Sequence, residues 1–286
     1  MSKEKTLLVI PSINNLDEIV YELRPPVNLT KGNFENLEFI FENNQVSLIH
    51  EGIDIKNFSN VWLSSGWKSR DLAFAVKIYL KHFLVPHTFV EKVISKVTDQ
   101  VNFAMNNIRI PNTFFIDNND ISAYIEKIEN LCGYPLIIKD IRGSRGKNSL
   151  LINNRHELEA NFPTLPKQKK YFFQKFIPND YDWGVLVSNG KVVSAEKSYR
   201  KNGEFRNNAA ANATEVFIQL KNVPETVKNI ALNAAKILGL SWSRSDIVVD
   251  KVTNIPYLME VNRLPGISSG TNEVIGARNF LEAHMQ

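Results

Sequence analysis

A single cysteine, Cys132, stands among 286 residues, so neither an intrachain disulfide framework nor a cysteine metal cluster can be built. A lone thiol near a helix end is expected to pack as a small apolar residue. The five histidines, His50, His82, His87, His156 and His284, show no metal-binding spacing such as HxxxH. No apolar run approaches membrane-spanning length. The N-terminal one, LLVI at 7–10, is cut by Pro11 and is also too short for a signal-type hydrophobic region. Charge of one sign is scarce: the formal net charge of +4 is too mild to argue for nucleic acid. Repeats and low-complexity linkers are missing as well. The expectation is a soluble cytoplasmic protein with neither nucleic acid nor membrane as partner, and with self-association left open.

What is present reads as alternating strands and helices. TLLVIP (6–11) is a buried strand, LEFIFENNQVSLIHEG (37–52) a hairpin around Asn43-Asn44, VWLSS (61–65) a strand, and RDLAFAVKIYLKHFL (70–84) a helix by apolar spacing. A helix is expected over 90–108, broken before Pro111, and another over 121–131 with Asp120 as its N-cap. YPLIIKD (134–140) and SLLI (149–152) flank a glycine-bearing turn, and RHELEANF (155–162) is a short helix. A strand-rich last part starts at YFFQKFI (171–177) and holds a hairpin around Asn189-Gly190. A helix over 224–240, strands at 245–250 and 257–262, and a closing helix over 276–285 complete the chain.

Three stretches carry chemistry. In LMEVNRLPG (258–266), Glu260 and Asn262 point to the same face of a strand otherwise fit for the core. Such polar side chains must be solvated, paired or bound to something. Asp246, expected near the start of the preceding strand, would join them if the strands pair. Two carboxylates and an amide suit Mg²⁺ shared with a polyphosphate, and a strand-end hydrogen-bonded cluster is the bland alternative. KDIRGSRGKN (139–148) offers backbone N–H groups at Gly143 and Gly146 for an anion, with Lys139 adding a cation. It lacks both the GKS/T of a Walker loop and the helix of a dinucleotide fingerprint, so by itself it also fits a solvated hairpin. EKSYRKNGEFRNNAA (196–210) gathers Lys197, Arg200, Lys201 and Arg206, of which Arg206 is the best candidate to grip phosphate or carboxylate.

The order of these stretches resembles the ATP-grasp superfamily, and most closely its RimK-like branch of ribosomal-protein glutamate ligases, lysine-biosynthesis relatives and bacterial glutathione synthetase. The resemblance covers residues 94–286, with MEVNRLPG its most specific element and YPLIIKDIRGSRGKN and GEFRNN in support. It implies an α/β (α+β) ATP-grasp fold: a small N-terminal α/β pre-domain (1–93), then two α+β lobes (94–173 and 174–286) that clamp ATP. It implies nucleotide-phosphate lysines at Lys96 and Lys139, and a phosphate-covering loop over Gly143, Ser144, Arg145 and Gly146. It further implies an adenine-reading hinge at Gln174, Lys175, Phe176 and Ile177, and a ribose-side acid at Asp182. Arg206 and Asn208 match residues facing the transferred phosphoryl group and the acceptor, with Arg200 beside them, and Asp246, Glu260 and Asn262 match ligands of two Mg²⁺ ions, Mn²⁺ being the alternative. The implied activity is an ATP-dependent carboxylate–amine ligase working through an acyl phosphate on an amino acid or peptide. The alternative is a degenerate nucleotide-binding module with a regulatory role. Departures from the family pattern fall at Lys175, at Asn148, at Gly184 (where an arginine is usual) and in AAANA after Asn208. Arg200 or Lys197 is the candidate replacement for the arginine at 184.

Overall fold

The computed structural model describes residues 5–43, 45–88, 95–117, 120–143, 149–201 and 213–285. β1 (Lys5–Ile10), the expected first strand, is followed by α1 (Leu16–Tyr21) and β2 (Val27–Lys31), which apolar patterning does not announce. β3 (Leu37–Glu42) and β4 (Gln45–His50) form the expected hairpin, with β5 (Ile53–Asp54) added to β4. β6 (Asn60–Leu63) lies parallel to β1, giving a three-stranded sheet of order β2-β1-β6. α2 (Arg70–His82) follows, burying Ala73, Val76, Tyr79 and Leu80 along one stripe.

α3 (Lys96–Met105) is shorter than the helix expected over 90–108. A capping box joins Ser95 and Thr98 at its start, and Asn107, at φ 57, turns the chain out of the helix at its end. Residues 89–94 lie outside the described set. β7 (Thr113–Phe115), α4 (Ile125–Cys132), β8 (Leu136–Asp140), β9 (Leu150–Ile152), α5 (Arg155–Asn161) and β10 (Tyr171–Lys175) make an antiparallel sheet of order β7-β10-β8-β9 with its helices. Asp120 is not the N-cap of α4, which is Tyr124; it accepts from Ser122 N at 2.9 Å, just ahead of a single 3-10 turn whose N-cap is Ile121. Cys132 is buried in this unit's core, as its lone thiol suggested.

β11 (Asp182–Ser188), β12 (Lys191–Tyr199), β13 (Thr214–Phe217), α6 (Glu225–Leu238), β14 (Trp242–Val249), β15 (Pro256–Asn262) and α7 (Asn272–His284) form the last part. Its antiparallel sheet runs β13-β12-β11-β14-β15. Val227, Ala231, Ala234 and Ala235 of α6 cover one face by meeting Trp183, Val185, Ile247, Leu258 and Val261. The other face is apolar at one end only. There Leu186 and Trp242 join Phe280 of α7 and Leu7, Val9 and Trp62 from the start of the chain in one core. Trp62 and Trp242 meet edge-on at 6.2 Å between ring centres, which ties β6 to this sheet. Gly276 lets α7 approach β12 closely, since a Cβ there would lie 2.7 Å from Val193 Cγ2. No helix among the described residues is long and apolar enough to cross a membrane.

Candidate active site

Directly opposed residues of antiparallel strands share a face. β12 sets Glu196 opposite Gly184, β11 sets Gly184 opposite Asp246, and β14 sets Asp246 opposite Glu260. One row on the face away from α6 therefore holds Glu196, Asp246 and Glu260, with a gap at Gly184. Arg244 opposes Asn262 in the adjoining row. Asp246 sits in the middle of its strand rather than near the start, because β14 begins at Trp242. A bulge between Asp246 and Ile247 changes the parity of β15: Leu258 opposes Ile247 in the core while Glu260 opposes Asp246 on the polar face.

Each oxygen of Glu260 is occupied by a distant segment. Lys96 Nζ is 3.2 Å from Oε2, and Trp67 Nε1 donates to Oε1 at 3.1 Å. Asn262 Nδ2 donates to Asp246 Oδ2 at 3.0 Å. Burial pushes the Asp246 carboxyl up to about 8, with the charges of Glu260 and Asp182 adding to it. Burial works in the same direction on Glu260, but Lys96, the Trp67 hydrogen bond and Lys139 outweigh it and hold this carboxyl below its ordinary value.

The facing cations belong to the middle of the chain. Lys96 is the first residue of α3, and Lys139 lies on β8, donating to Gln174 Oε1 at 2.8 Å. The other end of the Gln174 amide donates to Thr113 Oγ1 at 2.9 Å. Burial, then the neighbouring Lys96, push Lys139 down to about 8, against the pull of Glu260, Asp182 and Asp246. Two crowded cations thus face two crowded carboxylates.

Gly143 makes a tight turn on Asp140: its N–H donates to Asp140 O at 3.1 Å, and a Cβ there would sit 2.9 Å from Asp140 Cβ. The rest of the expected loop, Ser144, Arg145 and Gly146, lies outside the described residues, as do Arg206 and Asn208. In the expected hinge segment, the N–H groups of Lys175 and Phe176 donate to Asn112 O and Pro135 O. The Gln174 side chain, expected to contribute only backbone, is the group that holds Lys139. Asp182 opens β11 and accepts from Asn179, whose Oδ1 takes Arg200 Nη1 at 3.3 Å.

Lys197 does not reach the site. It opposes Trp183 on the α6 side of the sheet, its Nζ 3.9 Å from the Tyr181 ring centre. The arginine that stands beside Asp246 is Arg244. Its guanidinium donates to Glu196 Oε1 at 3.1 Å, to Glu273 Oε1 at 2.5 Å and to Gly266 O at 3.0 Å. Glu196 fills the space over Gly184, where a Cβ would come within 2.6 Å of its Oε1. Sequence reasoning passed over Arg244, although its i, i+2 spacing from Asp246 in SRSD was a usable signal. Trp67 and Gln174 had no such local signal. Among the described residues no group of three or more His, Cys, Asp or Glu side chains gathers to hold a metal. The candidate set is two carboxylates and an amide, which leaves further positions to phosphate and water oxygens.

The model of the RimK-like ATP-grasp domain matches residues 95–278. A probable alpha-L-glutamate ligase of Vibrio atlanticus is 33% identical over 163 residues, 56% of this chain and 52% of that protein. The chain thus spans about half the length of that curated relative. In fold, VanG D-Ala:D-Ser ligase from Enterococcus faecalis superposes with a TM-score of 0.71, covering 99% of this chain and 100% of that one at 14% identity. D-alanine–D-alanine ligase from Bacillus anthracis complexed with ATP gives 0.66, covering 96% and 91% at 17% identity. With a family match over more than half its length, the chain belongs to the RimK-like ATP-grasp family.

Proposed function

We propose that this protein is an ATP-dependent carboxylate–amine ligase. ATP gives its γ-phosphoryl group to a substrate carboxylate, releasing ADP. An amine then attacks the acyl carbon of the resulting acyl phosphate, phosphate leaves, the nitrogen loses a proton, and an amide remains. The observation that carries this reading is the meeting of Lys96 and Lys139 with Asp246 and Glu260. Phosphoryl transfer is catalysed by positioning and charge neutralisation, and these residues supply both.

In this reading Lys96 and Lys139 grip the nucleotide phosphates, and the 143–146 loop covers them. The 174–177 segment reads adenine through its backbone, and Asp182 faces the ribose. Arg206, Asn208 and Arg200 face the transferred group and the acceptor. Asp246, Glu260 and Asn262 fit Mg²⁺: each carries a side-chain oxygen, and burial with the charges of Glu260 and Asp182 pushes the Asp246 carboxyl up to about 8, a cost that a bound cation would relieve. Two Mg²⁺ ions, with Mn²⁺ as substitute, would neutralise charge on the phosphates. With lobes divided at 93 and 173, the nucleotide would lie between the middle and last parts of the chain. The relative's name points to glutamate as the amino acid added, and an amino acid or peptide is the substrate class proposed. ADP release measured against amino acids and short peptides, with and without Mg²⁺, tests this. Release that requires Mg²⁺ and a substrate carrying carboxylate or amine is expected. Nucleotide binding with no turnover on any such substrate would leave a binding module instead.

A further inference from the structure

We propose that Trp67 is a positioning residue for Glu260, so that the N-terminal part of the chain helps to build the metal site. This rests on the ligase reading above. Trp67 lies in the connection from β6 to α2 and is 8% exposed. Its indole N–H donates to Glu260 Oε1 while Lys96 holds Oε2, so the carboxylate is fixed at both oxygens from two different segments.

The ring is itself held by charge. The guanidiniums of Arg70 and Arg263 lie 4.2 Å and 5.1 Å from its ring centre. Arg263 follows Asn262 directly and grips Asp99 with both nitrogens, at 2.5 and 2.6 Å, while also donating to Val261 O at 2.7 Å. Asp99 is one helical turn from Lys96 on α3. The contacts therefore close a circuit: Glu260 to Lys96, along α3 to Asp99, across to Arg263, and along β15 back to Glu260. Trp67 bridges this circuit at Arg263 and Glu260. A buried ion pair adds little net stability, and its attested use is to fix one arrangement. Here it fixes the spacing of a phosphate cation and a metal carboxylate. An indole N–H suits the Oε1 position because it orients the carboxylate without cancelling its charge, which a second lysine would do.

Trp67→Phe keeps an aromatic ring beside the two guanidiniums and removes the donor along with part of the ring area. The readout is the Mg²⁺ concentration needed for ADP to raise the melting temperature. Loss of an outer partner of a metal ligand weakens metal binding by 10–100-fold in other sites, so a rise of about tenfold in that concentration is expected, with stabilisation by ADP alone unchanged. An unchanged or lower Mg²⁺ requirement overturns the proposal. If the unsubstituted protein gains no stability from Mg²⁺ with ADP, the ligase reading itself falls, which separates the two failures. In case the variant does not fold, ¹⁵N-indole spectra of the unsubstituted protein, with its four tryptophans, supply a second measurement. One indole N–H should move when Mg²⁺ is added to the ADP-bound protein, and no response at any of them overturns the proposal.

Discussion

The four-stranded sheet β7-β10-β8-β9 and the five-stranded sheet β13-β12-β11-β14-β15 solve opposite problems. The first carries Lys139, whose partner is the neutral amide of Gln174, itself anchored to Thr113. The second carries Asp246, whose partner is the neutral amide of Asn262. Each sheet thus presents a charged group that burial drives toward neutrality, to about 8 in both cases but from opposite sides. The direct bridge between the two signs is Lys96 on Glu260. The difference teaches that neither sheet is a site alone. The cationic one needs an anion and the anionic one a cation, and in the proposed function magnesium with a nucleoside triphosphate would supply both.

The sharpest way to break this comparison is Glu260→Gln, which is nearly isosteric and keeps an acceptor for Trp67. Turnover is expected to fall by about two orders of magnitude or more, since several kcal/mol of charge stabilisation can be lost and each ~1.4 kcal/mol is tenfold. Melting without ligand should change by only about 1–2 kcal/mol, the loss of a largely buried Lys96 partner. Full Mg²⁺-dependent turnover in a steady-state assay would remove Glu260 from the metal site.

Next in size is Lys139→Gln on the cationic side. The KM for ATP should rise by about tenfold, the worth of one charge-assisted phosphate contact, while the ligand-free protein melts higher because a cation costly to bury is gone. The pH dependence gives its sign. Lys139 in the folded protein is pushed down to about 8, whereas the unfolded value is about 10.4. The unfolded state then holds more protons between these values, so stability rises with pH across that window. That rise should be missing in the variant, and urea melts at pH 8 and pH 10 would show it.

A smaller effect is expected at Glu196, and it runs the other way. Burial raises this carboxyl to about 7, Arg244 offsetting part of the rise and Glu215 and Glu273 adding to it. The folded state keeps its proton longer than the unfolded one, whose value is about 4.3. Stability therefore falls as pH rises from there to about 7. Glu196→Gln should match the parent below pH 4 and be clearly the more stable of the two at pH 8. Chemical denaturation at the two pH values checks this. Gly184→Ala is the smallest of the four. Its Cβ meets Glu196 Oε1 at 2.6 Å, for an expected cost of about 1 kcal/mol that disappears in a Glu196→Ala background.

Legibility in the sequence followed locality. The paired strands bearing Asp246 and Glu260, the Asn189-Gly190 hairpin and α6 were readable because each rests on period, turn chemistry or capping within a few residues. α1 and β2 were not. A six-residue helix and a strand with no fully buried position leave too little pattern to detect. The end of α3 at Asn106 was set by a left-handed Asn107, which local apolar spacing does not reveal. In the site, motif residues could be named, but their partners could not. Trp67 is 193 residues from Glu260, and Arg263 is 164 from Asp99. Such contacts arise only when α7 and β6 share a core with the five-stranded sheet. Lys197 was misplaced as a site cation because period two alone sends it to the face opposite Glu196, whereas composition groups it with its basic neighbours.

The central claim is that opposite charges buried in two sheets await one Mg²⁺–nucleotide ligand. Calorimetric titration with a nonhydrolysable ATP analogue tests it most directly, with and without Mg²⁺, on the parent and on Lys139→Gln and Asp246→Asn. The account predicts binding to the parent that depends on Mg²⁺. It also predicts that each substitution weakens that binding by about tenfold or more, roughly 1.4 kcal/mol. An absence of binding, or binding indifferent to Mg²⁺ and to both substitutions, would contradict it.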